Sequence, residues 1–144
     1  MNPIHITQLD HIVMRVANIE KSICFYRDIL GCPEKRISNG LYQYQAGASM
    51  IDLVPITSDT SRRSGSESTE ACRNVDHFAL TLAEFDEEAI VTYLEVNGVK
   101  VERSGHRFGA QGFGPSVYFR DPDGNLIELK GPAEEPPQHS IQKD

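Results

Sequence analysis

The sequence predicts an α+β fold made of two tandem β-α-β-β-β modules. Three observations predict it. Leu9-Asp10-His11 and Val75-Asp76-His77 each open an apolar run, and they stand 66 residues apart. Each run is followed by an amphipathic stretch that ends at a glycine. Each copy then closes on an acid flanked by aliphatics, Ile51-Asp52-Leu53 in the first and Ile127-Glu128-Leu129 in the second. A whole pattern that recurs at fixed spacing marks a duplicated supersecondary unit.

The elements follow in order. After His11 come Ile12, Val13, Met14 and Val16, which read as a buried strand. Asn18 can cap a helix running to about Leu30, with Ile19, Ile23, Tyr26 and Leu30 on one face. Gly31 ends it in the left-handed position after the last turn. Strands follow near 34–38, 41–46 and 49–54, separated by Asn39-Gly40 and Gly47. In the second copy Phe78, Ala79, Leu80 and Leu82 make the first strand. Glu84 or Asp86 starts a helix with Phe85, Ala89, Ile90, Tyr93 and Leu94 as its apolar positions, and Asn97-Gly98 ends it. Strands are expected near 99–103, 115–120 and 125–130, the last two joined by the turn Asp121-Pro122-Asp123-Gly124. The glycine-rich stretch 104–114 reads as a loop inside the second copy. The modules are thus 8–55 and 75–131, with a polar connector at 56–74 and a loosely attached tail at 132–144.

Composition bounds the function. An apolar fraction of 39% suffices for the core of one domain or two packed halves. Fourteen basic against 21 acidic residues give a net charge of −7, which argues against nucleic-acid binding. The N-terminal stretch lacks the pattern of a signal peptide, and no apolar run is long enough to span a membrane. Cys24, Cys32 and Cys72 lack metal-type spacing and read as free thiols in a cytoplasmic protein.

The repeat concentrates chemistry. Each copy offers one histidine at the start of its first strand and one acid on its last. Alternation turns that acid to the face opposite its aliphatic neighbours. A lone strand histidine is more often a core or surface residue, but here the same pairing occurs twice. His11, Asp52, His77 and Glu128 are therefore the expected ligands of one divalent ion. Two imidazoles with one or two carboxylates suit Zn, Ni, Co, Mn or Fe(II) rather than calcium. His5, His106 and His139 fall in a terminus, a loop and a tail and are expected in solvent.

These features resemble the vicinal oxygen chelate superfamily, which includes glyoxalase I, methylmalonyl-CoA epimerase, extradiol dioxygenases and the fosfomycin and bleomycin resistance proteins. The resemblance spans about residues 8–131. It rests on the two Asp-His triplets, Phe25-Tyr26 with Leu30-Gly31, and the stretch from Tyr118 to Leu129 (YFRDPDGNLIEL). It implies that the modules form an incompletely closed eight-stranded mixed barrel around a metal, in a homodimer. It implies that His11, His77 and Glu128 are ligands. Asp52 stands where bacterial glyoxalase I has a ligand glutamate and the epimerase has glutamine. Arg15 matches an arginine that holds the glutathione carboxylate in glyoxalase I. Ile56 replaces the asparagine that contacts glutathione there. Ser116 and Tyr118 fall near the phosphonate-contacting strand of fosfomycin-type transferases, but Lys130 follows Leu129 where those enzymes have histidine.

The expected activity is a metal-dependent isomerase or lyase of glyoxalase I type acting on a small carbonyl substrate, such as the hemithioacetal of a thiol. Glu128 or Asp52 would move the proton, and Arg15, Arg107, Ser116 and Tyr118 would bind substrate, with glutathione or another thiol as co-substrate. The alternatives are a fosfomycin-type thiol transferase, an Fe(II) extradiol dioxygenase using His11, His77 and Glu128, and a non-catalytic protein that sequesters a ligand. The connector pair Arg62-Arg63 reads as solvated.

Overall fold

The computed structural model describes residues 5–6, 8–57 and 75–134. The chain divides into two compact units, Met1–Cys72 and Arg73–Asp144. Arg62, Arg63, Cys72 and His139 lie outside the described residues.

The first unit runs β1 (His11–Val16), α1 (Ile19–Ile23), a π-helical segment (Cys24–Ile29), β2 (Glu34–Ser38), β3 (Leu41–Ala46) and β4 (Ser49–Pro55). Its sheet has the order β1-β4-β3-β2, with β1 parallel to β4 and the other pairs antiparallel. Asn18 caps α1 by accepting from the backbone N–H of Lys21 at 2.9 Å. The expected single α-helix to Leu30 is instead α-helix passing into π-helix. The Leu30 N–H reaches back five residues to the Phe25 carbonyl at 2.9 Å. The wider turn changes the packed stripe. Ser22, Phe25 and Tyr26 are buried, while Ile19, Ile23 and Leu30 are only half-buried. Asn39 and Gly40 both take positive φ, 52° and 76°, as a two-residue hairpin turn between β2 and β3 requires.

The second unit repeats the order: β5 (His77–Thr81), α2 (Glu87–Val96), β6 (Val101–Gly109), β7 (Gly112–Arg120) and β8 (Leu126–Lys130). Its sheet is β5-β8-β7-β6, with β5 parallel to β8. Asp86 caps α2 by accepting from the Ala89 N–H at 3.0 Å. Asp121 closes the β7–β8 turn. Its carbonyl accepts from Gly124 at 2.9 Å, and its side chain accepts from the Asn125 N–H at 2.7 Å.

One expected loop is strand. Residues 104–114 belong to a long β6–β7 hairpin that turns at Ala110-Gln111. Three of its glycines mark close approaches rather than turns. A Cβ at Gly105, Gly109 or Gly114 would stand within 2.6 Å of Arg107 Nη1, Lys130 Cε or the Pro132 carbonyl oxygen. His106 accordingly sits on β6. It pairs with Glu134 at 2.9 Å and stacks on Phe113.

In both units the strand that carries the acid is central, flanked on both sides by partners. Ile51 and Leu53 on β4, and Ile127 and Leu129 on β8, are buried on the face opposite their acids. Burial of each aliphatic stabilises the sheet by roughly 1.5–3 kcal/mol. That fixes the register, since a one-residue slip would turn the acid into the core.

Candidate metal and substrate site

In the first unit, His11, Val13 and Arg15 share one face of β1 by the two-residue alternation. Asp52 lies opposite Val13 on one side and Gln43 on the other. The carboxylate is buried, with 1% of its surface exposed. Gln43 Nε2 donates to Asp52 Oδ2 at 2.9 Å. Asp52 Oδ1 is buried with no hydrogen-bond partner among the described residues. His11 Nδ1 lies 2.5 Å from Asp10 Oδ1. That contact raises the His11 pKa; loss of hydration opposes it, and the Asp52 charge adds a lesser upward push. The Asp10 contact also occupies Nδ1 and leaves Nε2 as the ring's other donor atom. Arg15 is half-buried opposite Val54.

The second unit repeats this arrangement. Glu128 lies opposite Ala79 and Tyr118, the rungs that Val13 and Gln43 fill beside Asp52. His77 precedes Ala79 by two residues, as His11 precedes Val13. Its Nδ1 is held by Asp76 Oδ2 at 2.7 Å. Its Nε2 lies 3.3 Å from Glu128 Oε2. The other Glu128 oxygen, Oε1, accepts from the buried Ser116 hydroxyl at 2.5 Å. The Asp76 carboxyl is held below its ordinary range chiefly by the His77 hydrogen bond.

Tyr118 is buried beside this pair, its ring edge-on to His77 with centroids 5.9 Å apart. The Arg103 guanidinium lies over the Tyr118 ring at 4.5 Å, and that of Arg107 lies at 5.9 Å. Burial first, then the Glu128 charge and hydrogen bond, push the Tyr118 phenol up, and Arg107 partly opposes them. Neither guanidinium has an ion-pair partner among the described residues. Arg120, by contrast, is committed to Glu102 at 2.7 Å.

Each unit therefore brings together one imidazole and one buried carboxylate. Among the described residues, no three His, Cys, Asp or Glu groups converge within either unit. The donor set fits a divalent cation. Each imidazole is oriented through Nδ1 by a neighbouring carboxylate, as metal-binding histidines usually are. One buried oxygen, Asp52 Oδ1, lacks the partner that burial demands. Sequence reasoning missed Gln43, Arg103 and the burial of Lys130. Gln43 was accessible through the repeat, because it occupies the rung that Tyr118 occupies in the second copy. No sequence signal distinguishes Arg103 from a solvated strand arginine.

A family model described as the Glyoxalase/Bleomycin resistance protein/Dioxygenase superfamily matches residues 8–129. The chain belongs to this superfamily. Its relatives include the glutathione transferase FosA of Serratia marcescens, 31% identical over 122 residues, covering 84% of this chain and 78% of that protein. Virulence protein STM3117 of Salmonella typhimurium is 30% identical over 125 residues, covering 86% and 83%. The metallothiol transferase FosB of Staphylococcus haemolyticus is 30% identical over 121 residues, covering 84% and 81%. Among solved structures, the integron cassette protein VCH_CASS1 from V. cholerae superposes with a TM-score of 0.68 at 30% identity, covering 89% of this chain and 97% of that one. The tandem-module α+β class expected from the sequence is the fold the superfamily member adopts. Among the described residues, no helix is long and apolar enough to cross a membrane.

Proposed function

We propose that this superfamily member is a divalent-metal-dependent transferase that joins a thiol to a small electrophile such as an epoxide. The observation that carries the reading is the arrangement around Glu128. A buried carboxylate is held by Ser116 and sits 3.3 Å from His77 Nε2, with the Tyr118 ring and the Arg103 and Arg107 guanidiniums alongside. Relatives named as a glutathione transferase and a metallothiol transferase support it over the glyoxalase-I-type isomerase expected from the sequence. The ligands in this reading are the equivalent pairs of the repeat, His11 with Asp52 and His77 with Glu128. The protein works as a cytoplasmic homodimer on a small molecule.

A divalent ion held by these ligands would supply Lewis acidity. In the net reaction a sulfur–carbon bond forms, one epoxide carbon–oxygen bond opens, and the thiol proton ends on the new hydroxyl. Arg103 and Arg107 orient an anionic arm of the electrophile against Tyr118. Arg15, on the His11 face of β1, binds a carboxylate of the thiol.

The isomerase reading keeps one observation in its favour. Asp52 is a fully buried carboxylate with one oxygen unpartnered, as suits a base that takes a proton from carbon. The test uses purified protein loaded with Mn, glutathione as thiol, and fosfomycin as the epoxide probe. Mass spectrometry is expected to show a thioether adduct that needs both Mn and thiol. Isomerisation of the methylglyoxal–glutathione hemithioacetal without that adduct would return the assignment to the isomerase. Absence of both reactions would overturn the enzymatic readings together.

A further inference from the structure

We infer that Lys130 is a positioning residue that locks the β6–β7 hairpin to β8 and so sets Arg107 against Tyr118. The activity readout below rests on the proposed transferase reading, but the anchoring itself is tested independently.

Lys130 ends β8, two residues beyond Glu128, and only 6% of its surface is exposed. A buried ammonium normally needs a carboxylate partner. Lys130 Nζ instead donates to two backbone carbonyls, that of Arg107 at 2.5 Å and that of Gly114 at 3.3 Å. Arg107 and Gly114 are cross-strand partners in the hairpin. One ammonium therefore bridges both strands of a single rung from a third strand. The lysine stem occupies the space a side chain at Gly109 would need, since a Cβ there would stand 2.6 Å from Cε and 3.0 Å from Cδ. Sequence and structure agree on this geometry, with a glycine placed where the stem passes.

The consequence falls on Arg107. Its carbonyl is held by Lys130. Its guanidinium folds over Gly105, where a Cβ would meet Nη1 at 2.6 Å, and Nη1 donates to the His106 carbonyl at 3.0 Å. The residue is fixed at the backbone and at the head, which leaves the guanidinium beside the Tyr118 ring. A strand arginine without that backbone anchor would sample more rotamers and hold an anionic substrate less well.

The experiment compares Lys130→Met, Lys130→Arg and Gly109→Ala in the full chain. Lys130→Met keeps the length of the stem and removes the ammonium. Gly109→Ala keeps the ammonium and displaces the stem. Both are expected to speed amide exchange across residues 104–114 by about tenfold while strands β3 and β4 exchange as before. With Mn, glutathione and fosfomycin, both should raise KM for the epoxide by about tenfold and leave kcat within about twofold. Adding Arg107→Ala to Lys130→Met should raise KM no further, because both changes act on one contact. Lys130→Arg should restore most of the loss. Unchanged hairpin exchange in Lys130→Met and Gly109→Ala overturns the proposal, as does full additivity with Arg107→Ala. Should Lys130→Met fail to fold, the Gly109→Ala comparison decides. Should the wild-type protein form no thioether, the transferase reading falls and the exchange data alone decide the anchoring.

Discussion

His77 Nε2 lies 3.3 Å from Glu128 Oε2 across the parallel pair β5 and β8. The histidine ring is already fixed by Asp76 at its other nitrogen, so the shared space at Nε2 is where a cation would sit. His77→Ala is expected to fold, since His77 is exposed at the strand start, and to lose its metal. Metal analysis after gel filtration, with circular dichroism as the fold control, checks this. A stoichiometric ion in the variant would remove His77 from the ligand set.

Ser116 acts one step behind that pair. Its hydroxyl is fully buried and donates to Glu128 Oε1 at 2.5 Å. Ser116→Ala leaves a buried carboxylate oxygen without this donor, at a cost of about 1.5–3 kcal/mol for a bond to a charged group. Loss of a residue that orients a ligand should also weaken Mn binding by about 10–100-fold. Urea unfolding and Mn titration test the two effects separately. An unchanged Mn affinity would show that Glu128 is not a ligand or needs no orienting.

The fold was legible where the repeat wrote it twice. The two Asp-His strand starts, the Asn18 and Asp86 caps and the turn at Asp121 are local signals, and each stands where periodicity places it. The extent of β6 and β7 was not legible, because Gly105, Gly109 and Gly114 look like a loop in sequence. A Cβ at each would crowd Arg107, Lys130 or Pro132, a tertiary contact that no local pattern records. The π-helical turn after Ile23 was hidden for the same reason: the helix period predicts a stripe, but the packing of Phe25 and Tyr26 sets it. Within the candidate site, alternation placed Asp52 and Glu128 on the faces opposite their aliphatic neighbours. Gln43, Ser116 and Arg103 became partners only through cross-strand register, which the sequence alone does not set.

Asp52 carries an opposing cost. Among the described residues its buried carboxylate has one donor, Gln43, and its second oxygen has no partner. Burying a carboxylate without a cation carries a desolvation cost. Asp52→Asn should therefore stabilise the metal-free protein by about 1–3 kcal/mol, as Gln43 can still donate to the amide oxygen. The same change should weaken Mn binding. Urea midpoints with and without a chelator distinguish the effects. A variant less stable than wild type under chelation would mean that the unpartnered oxygen is satisfied in solution.

Cys32 offers a test of packing against pH. It follows Gly31 at the end of the π-helical segment, where its N–H donates to the Tyr26 carbonyl at 3.0 Å. Burial pushes its thiol above the usual value of 9.0. A raised pKa in the folded state means that the neutral thiol is the form the fold favours. This contribution to stability is present below the unfolded pKa and is lost as pH rises through the folded one. At pH 8 the neutral thiol is then the favoured form, and labelling should be slow even apart from steric shielding. In native protein the exposed Cys24 should react before the buried Cys32 with a thiol reagent at pH 8. In a variant with Cys24→Ser and Cys72→Ser, the labelling rate should climb as the pH is raised and the thiolate forms. Cys32 labelling as fast as Cys24 in the native protein at pH 8 would show that the segment between α1 and β2 opens readily, and that the packing around Tyr26 does not hold it.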